Sequence, residues 1–314
     1  MKSVSWTNLS LLALCMMSLS AYGAGLKGAV KIDGSSTVYS ISEAVAEEYR
    51  NVEKDVKVTI GAAGTGAGYK KFCSNELDVA GGSRPVKSDE VQKCKSSGVD
   101  LIELPIAVDG LTVVVNPKNT FVKSMSFEQL KKIWEPGSKI KTWKDLDSSW
   151  PDQPIKLFGP SSEHGTFDYF TEIIVGKAKS SRSDYSAASD TNTLVSGVSG
   201  DVNSLGYFGY GYYEQSKSKL RVLGISKDGK SAPISPDSKT IESGAYPLSR
   251  LLFISVNKKS AERPEVDSFV KFYLQSVGGI AKSVGYSALP KAKLEQSLTN
   301  YGRRKVGAWQ ESAH

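Results

Sequence analysis

The sequence predicts an α/β fold, with a mostly parallel sheet covered by helices on both faces. Three observations predict it. Short apolar, strand-like runs recur along the chain, segments with helical apolar spacing lie between many of them, and no internal repeat or heptad pattern competes. In order, a strand at 29–32 is followed by a helix at 38–49, and a strand at 56–60 by an apparent helix near Tyr69. The strand at 77–80 leads into a helix at 86–95. Two strands, 101–107 and 111–115, then come in succession before a helix at 126–134. The strand at 155–158 precedes helices at 166–175 and 191–198. Later strands are expected at 205–208, 220–225 and 251–256, and a helix at 263–277 follows them. Residues 136–154 and 226–247 are rich in Pro, Gly, Ser and charge, which predicts surface loops. Two short breaks, Asn116-Pro117 and Tyr246-Pro247-Leu248-Ser249, fit a chain that leaves its first domain and later returns to it.

The composition is that of an ordinary folded protein. The 314 residues are 39% hydrophobic and 23% charged, which excludes disorder, collagen and a polytopic membrane protein. The net charge of +7 permits a polyanionic or small-anion partner but selects neither. Charge is interspersed rather than blocked, so a nucleic-acid partner is not expected. Two histidines, His164 and His314, and three cysteines are too few for a multi-His or Cys/His metal site, so no metal is expected.

Lys2, the apolar run 9–19 (LSLLALCMMSL) and the small residues of Ser20-Ala21-Tyr22-Gly23-Ala24 together read as a secretory signal, residues 1–23, cut after Gly23. The run is too short for a membrane span, which takes about 20 residues. Cys15 does not read as a lipoprotein site, because bulky Leu14 precedes it and Met16-Met17 follow. Two cysteines then remain, Cys73 and Cys94, and an even pair in an exported chain reads as a disulfide; two buried free thiols are the alternative.

Four segments place Gly, Ser or Thr between a strand and a helix. They are Asp33-Gly34-Ser35-Ser36-Thr37, the run Gly61 to Gly68, Gly81-Gly82-Ser83-Arg84-Pro85, and Glu163-His164-Gly165-Thr166. The first N–H groups of a helix lack intrahelical partners and sit at its positive end, so such termini bind anions. Any one segment alone reads as ordinary N-capping. Four together, one carrying Arg84, point to an anion site. Nucleotide binding is disfavoured: Gly64-Thr65-Gly66-Ala67-Gly68 lacks a G-K-[ST] ending, and no G-x-G-x-x-G opens the first unit.

The stretches DGSSTVY, GAAGTGAGYKKFC, DVAGGSRPVK, FGPSSEHGTFDYFTE, LGYFGYGYY and YPLSRLLFISV, in this order, resemble the phosphate-binding proteins of phosphate ABC transporters (PstS-type) over nearly the whole mature chain. The resemblance implies a class II periplasmic-binding-protein fold, with two α/β lobes, two hinge crossings and a ligand cleft between them. Lobe one is expected at 24–115 plus 249–314 and lobe two at 116–248. It also implies phosphate contacts at Ser36, Thr37 and Val38, at Thr65, at Ser83 with Arg84 adjacent, and at His164, Gly165 and Thr166.

The chain departs from the pattern in three places. Some members have an acceptor Asp where this chain has Ser83, many have Ser in place of His164, and some have Arg in place of Pro160. Arg84 is a candidate for the missing cation, because its fork matches phosphate oxygens. Glu163, Asp168 and Asp190 are candidates for the missing acceptor. His164 either donates to the anion or lies at the cleft rim with its backbone N–H. Asn192 and Thr193 read chiefly as a helix cap, and Tyr207, Phe208, Tyr210, Tyr212 and Tyr213 as packing.

The function implied is capture of inorganic phosphate in the periplasm, as a monomer without a cofactor, and delivery to a permease. Export beyond the periplasm stays open. The alternatives are another oxyanion (sulfate, molybdate), an organic phosphate or, at a distance, a secreted phosphatase. A phosphatase needs a metal cluster or an activated nucleophile with its base, and the sequence offers neither, so the protein is not expected to be an enzyme.

Overall fold

A computed structural model describes residues 25–310, so the expected signal segment and its cleavage point lie outside the described residues. The strands are β1 (Gly28–Gly34), β2 (Val56–Ile60), β3 (Val79–Gly82), β4 (Leu101–Val115), β5 (Ser124–Ser126), β6 (Lys156–Pro160), β7 (Ser186–Ala188), β8 (Ser204–Gly209), β9 (Arg221–Val222), β10 (Gly224–Ser226), β11 (Ser249–Asn257) and β12 (Ser287–Ala288). The helices are α1 (Ser36–Tyr49), α2 (Thr65–Cys73), α3 (Ser88–Ser96), α4 (Phe127–Trp134), α5 (Gly165–Phe170), α6 (Thr191–Gly200), α7 (Tyr210–Ser216), α8 (Ser238–Glu242), α9 (Pro264–Ser283) and α10 (Lys291–Gly302).

The main sheet runs β2-β1-β3-β11-β4-β8-β6-β7. Its two ends are parallel, with β1 between β2 and β3, and β6 between β8 and β7. The middle is antiparallel, because β11 pairs with both β3 and β4, and β4 pairs with β8. A mixed sheet therefore replaces the mostly parallel one expected. Helices between the parallel strands satisfy the crossover rule, while the two central strands run past each other.

β4 is one buried strand of 15 residues, where the sequence predicted two. Asp109 and Gly110 interrupt its apolar pattern, yet Arg250 and Ser249 of β11 hold them in register. From Leu101 to Gly110 β4 pairs with β11, and from Leu111 to Val115 with β8. One apolar cluster lies on the β1–β3 side, where Ile32, Val38, Ile41 and Val45 meet Phe269 and Tyr273 of α9. A second lies on the β8–β6 side, around Leu130, Trp134, Phe170 and Tyr207, where Phe170 and Tyr207 stack at 3.7 Å.

The stretch 136–154 is not wholly a surface loop. Trp143 is fully buried in the second cluster, edge-on to Phe121, because the loop carries apolar anchors among its polar residues. Helices α7, α8 and α10 lie where no helix was expected. Helix 166–175 is α5 followed by a π-helical turn, Thr171–Val175. Cys73 and Cys94 form a disulfide that joins the ends of α2 and α3. Among the described residues no helix is long and apolar enough to cross a membrane.

Candidate functional site

The ends of β1 and β3 converge with the N-termini of α1 and α2. Gly34 has φ 144°, and a Cβ there would fall 2.2 Å from the Gly81 carbonyl, so only glycine permits this approach. The adjacent Ser35 N–H donates to that same carbonyl at 2.9 Å. Ser35 Oγ caps α1, accepting from the N–H groups of Thr37 and Val38 at 3.2 and 3.5 Å. Asp33 ties this turn to the next: its Oδ1 accepts from the N–H groups of Gly34 and Ala63 at 2.7 and 2.9 Å, and its Oδ2 from Lys71 Nζ. Burial works to raise the Asp33 carboxyl, but the Lys71 ammonium and the two N–H donors outweigh it and hold it below the usual range.

At α2 the N-cap is Gly64, which offers no side chain to the first turn. No N-cap side chain therefore caps the first turn of α2, unlike that of α1, where Ser35 does. Thr65 Oγ1 instead accepts from the Ser83 N–H at 3.2 Å and shares a hydrogen bond with Ser83 Oγ at 3.0 Å.

These segments border a cavity of about 320 Å³. Five hydroxyl side chains line it, Ser35, Ser36, Thr37, Thr65 and Ser83, together with the cations Arg84, Lys87, Lys179 and Arg250 and the carboxylates Asp168 and Glu172. Five residues expected from the sequence thus meet at one cavity: Ser36, Thr37, Thr65, Ser83 and Arg84. Val38, His164, Gly165 and Thr166 do not line it. Gly165 nevertheless abuts it, since a Cβ there would lie 2.6 Å from both the Thr37 nitrogen and Thr37 Oγ1. His164 Nδ1 accepts from the Thr166 N–H at 3.3 Å and so caps α5. Burial holds the His164 imidazole below its ordinary value, against the opposing charges of Asp109, Glu163 and Asp168, which keeps it neutral at pH 7.

Arg84 is half-buried with its fork committed to Glu90, at 2.9 and 2.8 Å, and a further bond to the Pro85 carbonyl at 3.0 Å. Of the three candidate acceptors, Glu163 is held by Ser161 and Ser189 at 2.6 and 2.8 Å. Asp190 caps α6, accepting from the Asn192 N–H at 3.0 Å and from Thr193 Oγ1 at 3.4 Å. Asp168 alone lines the cavity; its Oδ2 accepts from Ser36 Oγ at 3.1 Å, and its buried Oδ1 has no hydrogen-bond partner. Burial raises the Asp168 carboxyl above its ordinary value, and Lys179, Ser36 and Arg250 oppose the shift.

Sequence reasoning missed Arg250, Lys87, Lys179 and Glu172. Arg250 lies inside the stretch YPLSRLLFISV, so a signal was present, but the segment reads locally as an apolar strand. Arg250 pairs with Asp109, directly across from it on β4. Its guanidinium also lies 3.6 Å from the centre of the Tyr169 ring and donates to Thr37 Oγ1 at 3.0 Å. Asp109 is buried; desolvation pushes its carboxyl up and Arg250 opposes the shift. No group of three or more His, Cys, Asp or Glu that could hold a metal occurs among the described residues.

Residues 20–277 match the family described as a PBP superfamily domain. The chain is 43% identical over 282 residues to Protein SphX of Synechococcus elongatus, covering 88% of this chain and 82% of that protein. It is 43% identical over 277 residues to the phosphate-binding protein PstS of Staphylococcus epidermidis, covering 88% and 83%. A crystal structure of a possible phosphate binding protein from Planctomyces limnophilus superposes with a TM-score of 0.86 at 47% identity, over 90% of this chain and all of that one. A mixed sheet with two cores, a polar cleft beside the strands that join them, and likeness along almost the whole length agree on one assignment: the chain belongs to the PBP superfamily and, within it, to the PstS-type solute-binding proteins, a family of binders rather than enzymes.

Proposed function

We propose that the protein captures inorganic phosphate in this cavity and hands it to the membrane permease of an ABC transporter. The observation that carries the reading is the presence of many donors and a carboxylate acceptor, Asp168, in one cavity. Thr37, Thr65 and Ser83, with Gly64 and Gly66 at the start of α2, line the same space as Asp168. Donors hold any tetrahedral oxyanion. Asp168 adds selectivity: hydrogenphosphate carries a proton that a carboxylate can accept, whereas sulfate would set two acceptors against each other. Such an unpaired buried charge costs several kcal/mol, on the order of a thousandfold in affinity.

The remaining contacts are Arg84 at the rim and, from the other side, His164, Gly165 and Thr166, with Val38 supporting the first turn. Gly165 resting on Thr37 supports a cleft that shuts by bringing α5 onto α1. The two lobes are read as about 24–115 plus 249–314 and 116–248, with β4 and β11 as the crossings. The pairing of Leu111–Val115 with β8 favours moving the first boundary a few residues back, to near Gly110. The protein acts as a monomer in the periplasm, after removal of residues 1–23.

Isothermal titration of the refolded, anion-stripped protein with phosphate, sulfate, molybdate and a phosphomonoester tests this. Phosphate should bind at least about a hundredfold more tightly than the others. Equal binding of sulfate removes phosphate as the ligand, and no binding of any anion removes the oxyanion reading altogether.

A further inference from the structure

We propose that Arg250 is the cation that anchors the bound anion, through its Nη1 group. This rests on the phosphate reading above and adds to it a binding residue supplied by the crossing strand β11 rather than by any of the four Gly/Ser/Thr loops. The hydrogen bonds of Arg250 leave one part of the guanidinium unused. Nε and Nη2 both donate to Asp109 Oδ2 at 3.2 Å, and Nη2 also donates to Thr37 Oγ1 at 3.0 Å. Nη1 has no hydrogen-bond partner among the described residues and is not sealed in the core, because Arg250 lines the cavity with its side chain 13% exposed. An arginine held along one edge by a carboxylate presents its remaining N–H groups in a fixed plane, the arrangement that suits an oxyanion.

That plane is fixed from three directions. Asp109 lies opposite in the strand register, Tyr169 packs against the guanidinium face at 3.6 Å, and Thr37 takes the second Nη2 proton. The last contact has a chemical consequence. Because Thr37 Oγ1 accepts from Arg250, its own proton is free to be donated, so Arg250 and Thr37 present donors to one anion side by side. Arg84, the arginine expected from the sequence, has both terminal nitrogens on Glu90 at 2.9 and 2.8 Å. An anion reaching Arg84 must compete with that bidentate pair; at Nη1 of Arg250 it competes only with water. Arg250 stands on a strand that joins the two halves of the sheet and touches Thr37 on one side and Tyr169 on the other. Anion binding there acts where the cleft closes.

The test is phosphate affinity by isothermal titration for wild type, Arg250→Met, Arg250→Lys and Arg84→Met, with folding checked by circular dichroism and thermal melting. Arg250→Met is expected to weaken phosphate by at least about a hundredfold, Arg250→Lys by at least about tenfold, and Arg84→Met by less than about tenfold. If Arg250→Met does not fold, because Asp109 is left unpaired, the double variant Arg250→Met/Asp109→Leu removes both buried charges and takes its place. Arg250→Met or the double variant binding within about threefold of wild type overturns the assignment, as does a larger loss in Arg84→Met. Wild type that binds no phosphate overturns the phosphate reading, and this inference falls with it.

Discussion

Ser36 Oγ donates a hydrogen bond to Asp168 Oδ2 at 3.1 Å, joining the first residue of α1 to α5 across the cleft. The contact sets an acceptor carboxylate that lines the cavity at the point where α5 meets α1, so selectivity and closure meet at one pair.

Asp168→Asn should therefore change selectivity more than affinity. The amide presents donors where the carboxylate accepted, so phosphate weakens, sulfate strengthens, and the preference between them falls by about a hundredfold or more. Titrations of both anions against the variant check this; an unchanged ratio removes Asp168 as the discriminator.

The acceptor role also fixes a pH dependence. Burial raises the Asp168 carboxyl, and only its ionised form accepts the ligand's proton. Phosphate affinity should hold from neutral to mildly alkaline pH and fall as pH drops into the raised carboxyl range, above the ordinary value of 3.8. The His164 imidazole is held below its ordinary value, so it should bring no gain in affinity as pH falls towards 6.5. An affinity that does not fall as the Asp168 carboxyl takes up its proton contradicts the acceptor assignment.

Gly165→Ala should damage the cleft. The new methyl would lie 2.6 Å from the Thr37 nitrogen and 2.8 Å from its Cα, a clash with backbone that no rotamer relieves. Overpacking of this kind costs about 1–3 kcal/mol. Phosphate affinity and melting temperature should fall together; normal binding would show that α5 need not rest on α1.

Asp33→Ala strips the acceptor from Gly34 and Ala63 and should destabilise the protein by about 1–3 kcal/mol at pH 7. The Asp33 carboxyl is lowered on folding, so its contribution is fully present above the ordinary value of 3.8 and is lost as pH falls through the lower folded value. The gap between wild type and variant in urea denaturation should thus narrow in acid. A gap that stays constant to pH 2 contradicts the ionic role.

Reduction of the Cys73–Cys94 bond, which closes a loop with a sequence separation of 21, should cost about 3 kcal/mol on the chain-entropy model. It should also weaken phosphate, because the bond joins the helices behind Thr65 and Ser83. Denaturation and titration of Cys73→Ser/Cys94→Ser check the two effects separately.

The local parts of the site were legible because their chemistry is local. Glycine at 34 and hydroxyls at 36, 37, 65 and 83 sit where strands turn into helices, and those turns are written in short stretches of sequence. Arg250 was not legible. Its partner Asp109 lies 141 positions away and is brought opposite only by antiparallel pairing of β11 with β4. Trp143 was hidden for a related reason: polar neighbours outweigh one aromatic anchor in a composition average, while burial is decided by the Phe121 ring it meets. The α10 helix escaped because Pro290 at its N-cap supplies no side-chain acceptor to mark where it begins.

Retention of phosphate against sulfate is what separates this cleft from a general oxyanion site. Equilibrium dialysis of radiolabelled phosphate at pH 8, with unlabelled sulfate in about a hundredfold excess, measures it directly. Labelled phosphate is expected to stay bound at one equivalent per chain. Displacement of the label by sulfate, or no retention without a competitor, would contradict it.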